Sequence, residues 1–350
     1  MKRLIWIALL LVACRRSEPQ PRPRVETPPP AAAVTADAGI AYRTPASTFH
    51  INPSLAGTGK TSMVASEDRY ATEAGEEMLK SGGNAVDAAV TTAFVLAVTH
   101  PSAGNLAGGG FAVVRIAKGK AATLDFRETA PAAATPNMYL DNGGNPTRES
   151  LIGDRACGVP GSVAGLYELQ HKYGKAKWAD AVAPAIRLAK EGFAVPEQLH
   201  ESLVRIAKMR GDRITSAPLW WPEGKPIATG TVVKNPELAT VLERIAAKGP
   251  AGFYKGETAA AILAEMQKGK GLITAADLAG YKAIWREPLY ASYRGKKVIA
   301  MPPPSSGGIV VAMTANMLST LGIDKLPWHG TEHIHDVVEV WRRAYAARNE

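Results

Sequence analysis

Residues 111–128 read FAVVRIAKGKAATLDFRE. The runs FAVVRIA and AATLDF alternate apolar and polar side chains across KGK, as two antiparallel strands joined in a hairpin do. The second run ends in charge: Asp125, Arg127 and Glu128 lie in LDFRETAP, which Pro131 closes. Arg127 therefore stands just past a strand end. There its planar fork of donors suits a carboxylate or a phosphate. On the residues alone, a local ion pair with Asp125 or Glu128 is the better explanation.

Helical patterns surround this hairpin. Ser66 is placed to cap EDRYATEAGEEMLKSGG, whose Ala71, Ala74, Met78 and Leu79 share one face before Gly82-Gly83 stops the helix. Asn84 caps AVDAAVTTAFVLAVTHP, which is apolar nearly all round and so reads as a buried helix. Downstream, GVPGSVAGLYELQHKYG is a turn feeding a helix, WADAVAPAIRLAKEGF is another, and 197–268 is mostly helical around SAPLWWPEGKP. Thr274 caps a further helix. REPLYASYRGKKVIAMPPPSSGG holds two strands and a loop, and IVVAMTANMLSTLG resumes a helix. At the end, TEHIHDVVEVWRRAYAARNE is amphipathic, with Val337, Val338, Trp341, Ala344 and Tyr345 on its apolar side. Strand hairpins and helices in mixed order predict an α+β layered fold rather than a βαβ repeat.

The chain has 350 residues, 46% hydrophobic and 21% charged, enough for a sizeable core. Its net charge of +9 is scattered, with no basic run interleaved with aromatics, which argues against a nucleic-acid partner. MKRLIWIALLLVAC (1–14) has two cations, a short apolar run and then Cys14. The run at 4–13 is too short to span a bilayer and has the build of an export signal. LVAC resembles a lipobox, which implies lipidation at Cys14 and a membrane-tethered protein in the periplasm or at the cell surface. Residues 15–58, rich in Pro and Ala, are expected to form a disordered tether, leaving 59–350 as the folded region.

Other chemical motifs are weak. Gly59-Lys60-Thr61 is the tail of a P-loop without the preceding strand and following helix. His329, His333 and His335 lack metal-site spacing and fit a helix start. Ser305 and Ser306 have no evident base beside them, and Cys157 has no nearby His to activate it, so an inert or buried thiol is expected.

A set of segments is more specific than any of these motifs. SMVASEDRYATEAG, LKSGGNAVDAAV, AVTHPSAGNLAGGGF, LDFRETAP, GVPGSVAGL, KYGKAKWADAVAPAIRLAKEGF and MPPPSSGG occur in one order and spacing. Together they resemble the large-subunit portion of the γ-glutamyltransferase (glutathione hydrolase) family. The resemblance implies an N-terminal-nucleophile hydrolase with an αββα sandwich, incomplete in this segment and open at a sheet edge. It also implies a precursor that cuts itself before a threonine, whose freed amine serves as base. That threonine would lie in a downstream small subunit, so none of Thr91, Thr331 or Ser305 is assigned as nucleophile. The residue carried over from the family is Arg127, which would bind the α-carboxylate of a γ-glutamyl group. Glutathione or a related compound would be the donor, an amino acid, peptide or water the acceptor, and no metal or organic cofactor is implied. The alternatives are a related acylase acting on other amides and a non-catalytic lipoprotein that kept the scaffold to bind ligands.

Overall fold

The computed structural model describes residues 57–349, apart from Lys118 and residues 211–216. The expected signal segment with Cys14, and all but the end of the expected tether, lie outside the described residues.

Helix α1 (Arg69–Lys80) begins later than the sequence suggests. Asp68 is its cap, accepting from the Ala71 N–H, and it also accepts from Thr99 Oγ1. Ser66 instead donates to the Asp68 carbonyl. A carboxylate held by two donors in a buried position outcompetes a hydroxyl for this role. Helix α2 (Ala85–Thr99) packs on α1 and is buried on nearly every side, as its composition predicts. Asn84 and Asp87 cap it reciprocally.

Strands β1 (Phe111–Arg115) and β2 (Ala121–Asp125) form the expected antiparallel hairpin, with Phe111 opposite Asp125 and Arg115 opposite Ala121. Helices α3 (Ser162–Tyr173) and α4 (Trp178–Glu191) follow. The fully buried Asp87 accepts from the backbone N–H groups of Lys175 and Ala176, tying the α3–α4 turn to the start of α2. The expected helical stretch contains one element the sequence hid: β3 (Phe193–Ala194) pairs with β4 (Val232–Val233) on either side of α5 (Glu197–Arg210). Then come α6 (Pro236–Lys248), which packs on α4, and α7 (Ala251–Tyr254), α8 (Gly256–Gly269) and α9 (Ala275–Gly280). Thr274 caps α9 as expected, in a reciprocal box with Asp277.

A third strand joins the β1-β2 hairpin. β5 (Ile284–Arg286) pairs antiparallel with β2, setting Asp125 opposite Ile284 and giving the order β1-β2-β5. The hairpin of β6 (Leu289–Tyr293) and β7 (Lys296–Ala300) packs on α10 (Gly307–Leu321), and α10 packs on α11 (Thr331–Asn349). The main hydrophobic cluster runs from Ala71 to Leu278, whereas Met301, Val310, Ala315, Val340 and Ala344 are buried outside it. On α11 the buried residues are Val340 and Ala344, while Val338, Trp341 and Tyr345 of the expected apolar side are exposed. The apolar stripe of α11 is wider than the surface α10 covers.

Candidate functional site

The strap that leaves β2 is tied on both sides before it reaches Pro131. Phe126 exchanges both backbone hydrogen bonds with Gly110, prolonging the β1-β2 ladder by one pair, and Thr129 does the same with Val159. Between these anchors stands Arg127, whose main chain is held by side chains instead. Its N–H donates to Asp125 Oδ1 (3.1 Å), and its carbonyl accepts from Tyr281 Oη (2.8 Å).

Asp125 divides its carboxylate between two partners. Oδ1 takes the Arg127 N–H, while Oδ2 accepts from Nε (2.9 Å) and Nη2 (2.8 Å) of Arg286 on β5. The Asp125 side chain is only 8% exposed and Arg286 33%, so this pair sits in a partly dehydrated layer. Asp125 therefore does not neutralise the Arg127 guanidinium, which was one reading of the sequence. That task falls to Glu128, whose Oε2 lies 3.1 Å from Arg127 Nε. The Arg127 side chain is 57% exposed and its guanidinium lies 5.6 Å above the Phe111 ring. Exposed pairs of this kind contribute about 0–1 kcal/mol, so a ligand carboxylate can readily share or take the fork.

Glycines make room for the strap. A Cβ on Gly165 would sit 2.2 Å from the Phe126 ring, and one on Gly161 would sit 2.1 Å from the Phe126 carbonyl and 2.2 Å from Tyr281 Oη. Gly161 and Ser162 both donate their N–H groups to the Gly108 carbonyl, joining the glycine-rich loop to the start of α3. A cavity of about 220 Å³ opens here, lined by Asn105, Gly108, Gly109, Phe126, Glu128 and Ser162. Burial pushes the Tyr281 phenol well above the usual tyrosine range, and the nearby charges of Asp125 and Glu128 add to the shift. Tyr281 is thus a committed proton donor to the Arg127 carbonyl.

The family model described as gamma-glutamyltranspeptidase matches residues 71–350. The chain belongs to the gamma-glutamyltranspeptidase family. It is 45% identical over 293 residues to the glutathione hydrolase proenzyme of Escherichia coli (strain K12), covering 83% of this chain and 50% of that protein. It is 35% identical over 298 residues to the acylase ACY 1 proenzyme of Pseudomonas sp. (strain V22), covering 83% and 53%. The crystal structure of Helicobacter pylori gamma-glutamyltranspeptidase superposes with a TM-score of 0.81 at 40% identity, covering 84% of this chain and 85% of that one. The α+β architecture expected from the sequence is thus that of this family's N-terminal-nucleophile hydrolases. The chain spans about half the length of the curated relatives it matches.

The remaining candidates disperse within this gamma-glutamyltranspeptidase-family chain. Thr91 is fully buried within α2, and Thr331 is the exposed first residue of α11. Ser305 accepts from the Gly307 N–H at the entry to α10, and no helix follows Lys60 before α1. His329 and His333 pack against the ring of Trp328. Among the described residues no group of three or more His, Cys, Asp or Glu side chains could hold a metal. Cys157 is exposed rather than buried, although partial burial and Asp154 hold its thiol above the usual range. That shift leaves little thiolate at neutral pH. Tyr281 and Arg286 escaped sequence reasoning because their partners are remote: Tyr281 lies 154 residues from Arg127, and Arg286, on the three-residue β5, lies 161 residues from Asp125.

Proposed function

We propose that this chain is the substrate-clamping half of an enzyme that transfers or hydrolyses γ-glutamyl groups, with glutathione and related compounds as donors. The observation that carries this reading is Arg127. Its main chain is pinned by Asp125 and Tyr281, while its guanidinium is presented outward with one half-buried acidic partner, Glu128. A cation so placed suits the α-carboxylate of a γ-glutamyl donor. Water or an amino acid would then accept the glutamyl group from an acyl-enzyme formed on a threonine in the downstream half.

Two further observations support a downstream partner from the same precursor. The relatives named above are proenzymes, and this chain covers about half of them yet 85% of the crystallised Helicobacter pylori chain. The C-terminal layer also leaves an apolar cavity of about 720 Å³ open, lined by Leu318, Leu326, Trp328, Val338 and Trp341. The outer edge of β1 and the exposed Ile284 on β5 are further surfaces for that partner. Export, and lipidation at Cys14, complete the reading as a tethered enzyme.

Intact masses of the protein purified from its host test the precursor. Two chains, the smaller beginning with Thr, are expected, and one uncut chain ending near residue 350 would favour a binding lipoprotein instead. In the complete enzyme Arg127→Ala is expected to weaken transition-state binding of a γ-glutamyl anilide by about 2–5 kcal/mol. Unchanged kinetics would take Arg127 out of the site. The similarity to the acylase gives a second reading, in which an acyl β-lactam is turned over in preference to the γ-glutamyl anilide.

A further inference from the structure

We infer that Tyr281 is a positioning residue for the carboxylate clamp, acting on substrate only through the backbone of Arg127. This inference rests on the reading of Arg127 given above. Residues on either side of Arg127 are fixed by strand-like pairing, Phe126 to Gly110 and Thr129 to Val159. Arg127 has no such pairing. Its N–H and its carbonyl go to two side chains, so the direction of its Cα–Cβ bond is set by Asp125 on one side and Tyr281 on the other.

The Tyr281 hydroxyl is held in place from three directions. Its ring stacks on Tyr254, with centroids 5.9 Å apart and planes within 4°. Tyr254 is itself locked, since its hydroxyl donates to the Pro160 carbonyl and accepts from the Ala164 N–H. Gly161 supplies the third constraint, for any Cβ there would occupy the space of the Tyr281 hydroxyl and the Phe126 carbonyl. The glycine of GVPGS is thus kept clear where the phenol meets the strap. An arrangement of this kind sets where a guanidinium fork sits in space. Small displacements of such a fork are costly to ligand capture.

The test compares two substrates in the full-length, processed enzyme: a γ-glutamyl anilide and the analogue lacking the α-carboxylate, a 4-aminobutyryl anilide. Tyr281→Phe keeps the ring and its stack and removes only the donor. For the γ-glutamyl substrate it is expected to raise KM about two- to tenfold, the scale of one lost hydrogen bond, with kcat within about twofold. For the analogue it is expected to change nothing. In an Arg127→Ala background the Tyr281→Phe effect should vanish, because the two residues act in series. Equal losses on both substrates, or a full additional loss in the Arg127→Ala background, would show a merely structural tyrosine and overturn the inference while leaving the clamp. If Arg127→Ala itself leaves the γ-glutamyl KM unchanged, the clamp and the inference fall together.

Discussion

Asp125→Asn is the smallest change that strikes the frame behind Arg127. All three hydrogen bonds reaching the Asp125 carboxylate come from donors: the Arg127 N–H, and Nε and Nη2 of Arg286. An ionised carboxylate is acceptor-only and satisfies them all, whereas an amide always turns two N–H groups toward one side. If the new amide keeps its oxygen on the Arg127 N–H, its NH₂ faces the guanidinium. If it flips, its NH₂ faces the Arg127 N–H. The first orientation sets donor against donor at both Arg286 contacts and the second at the Arg127 N–H, in a site where the carboxylate is 8% exposed. Breaking a buried pair costs about 3–5 kcal/mol, and the one-third exposure of Arg286 places this case near the low end, about 3 kcal/mol. At about 2.1 cal/mol/K per residue that corresponds to a fall in Tm of about 4 °C for 350 residues, and of about 2 °C in a precursor twice as long. Thermal unfolding of the full-length precursor, followed by circular dichroism, reads the shift directly, and a γ-glutamyl anilide assay reads the loosened clamp as a raised KM. A variant melting within about 1 °C of the parent would refute the claim that the carboxylate layer is dehydrated and structurally committed.

Two further outcomes follow from the same frame. Gly165→Ala forces a methyl group into the Phe126 ring, which has no flexible end to yield, so an overpacking loss of about 1–3 kcal/mol is expected in denaturant unfolding. An unchanged unfolding midpoint would show that α3 and the strap are not in hard contact. In alkali, burial of Tyr254 and Tyr281 raises both phenols above their unfolded values. The native state then holds protons the unfolded chain has lost, so the stability these two phenols contribute is fully present below about pH 10 and is lost as pH rises beyond it. Tyr281→Phe should flatten that fall, and an identical alkaline profile would place the loss elsewhere.

The helices of this protein are written locally and could be read so. Asn84 and Thr274 each stand three residues before an acidic partner, and α2 is apolar nearly all round. The β1-β2 hairpin was equally legible, because alternation across KGK needs no information from elsewhere in the chain. Misplacing the start of α1 at Ser66 shows the limit of that reading. Asp68 wins the cap through Thr99 at the far end of α2, a partner 31 residues away. β3, β4 and β5 failed for the same reason more severely, since strands of two or three residues carry no periodicity and exist only through their neighbours. The apolar side of α11 was only partly placed: Ala344 is buried as expected, but Val340, outside the expected set, is buried while Val338, Trp341 and Tyr345 are exposed, because periodicity does not say which edge of a stripe a neighbour covers.

The site divides along the same line. Arg127 stood out because a cation at a strand end beside two acids is a local anomaly, and the ordered motifs gave it a role. What the local sequence could not separate was which acid does what. Asp125 and Glu128 are equivalent on paper, one residue before and after the Phe126-Arg127 pair. The pleat makes them different. As the last residue of β2, Asp125 turns its carboxylate inward to Arg286 on β5, while Glu128, beyond the ladder, lies along the exposed guanidinium. One acid therefore holds the backbone of Arg127 and the other holds its charge. In the proposed clamp only the second would have to give way to a substrate carboxylate, so the guanidinium would take up a ligand while its backbone stayed in place.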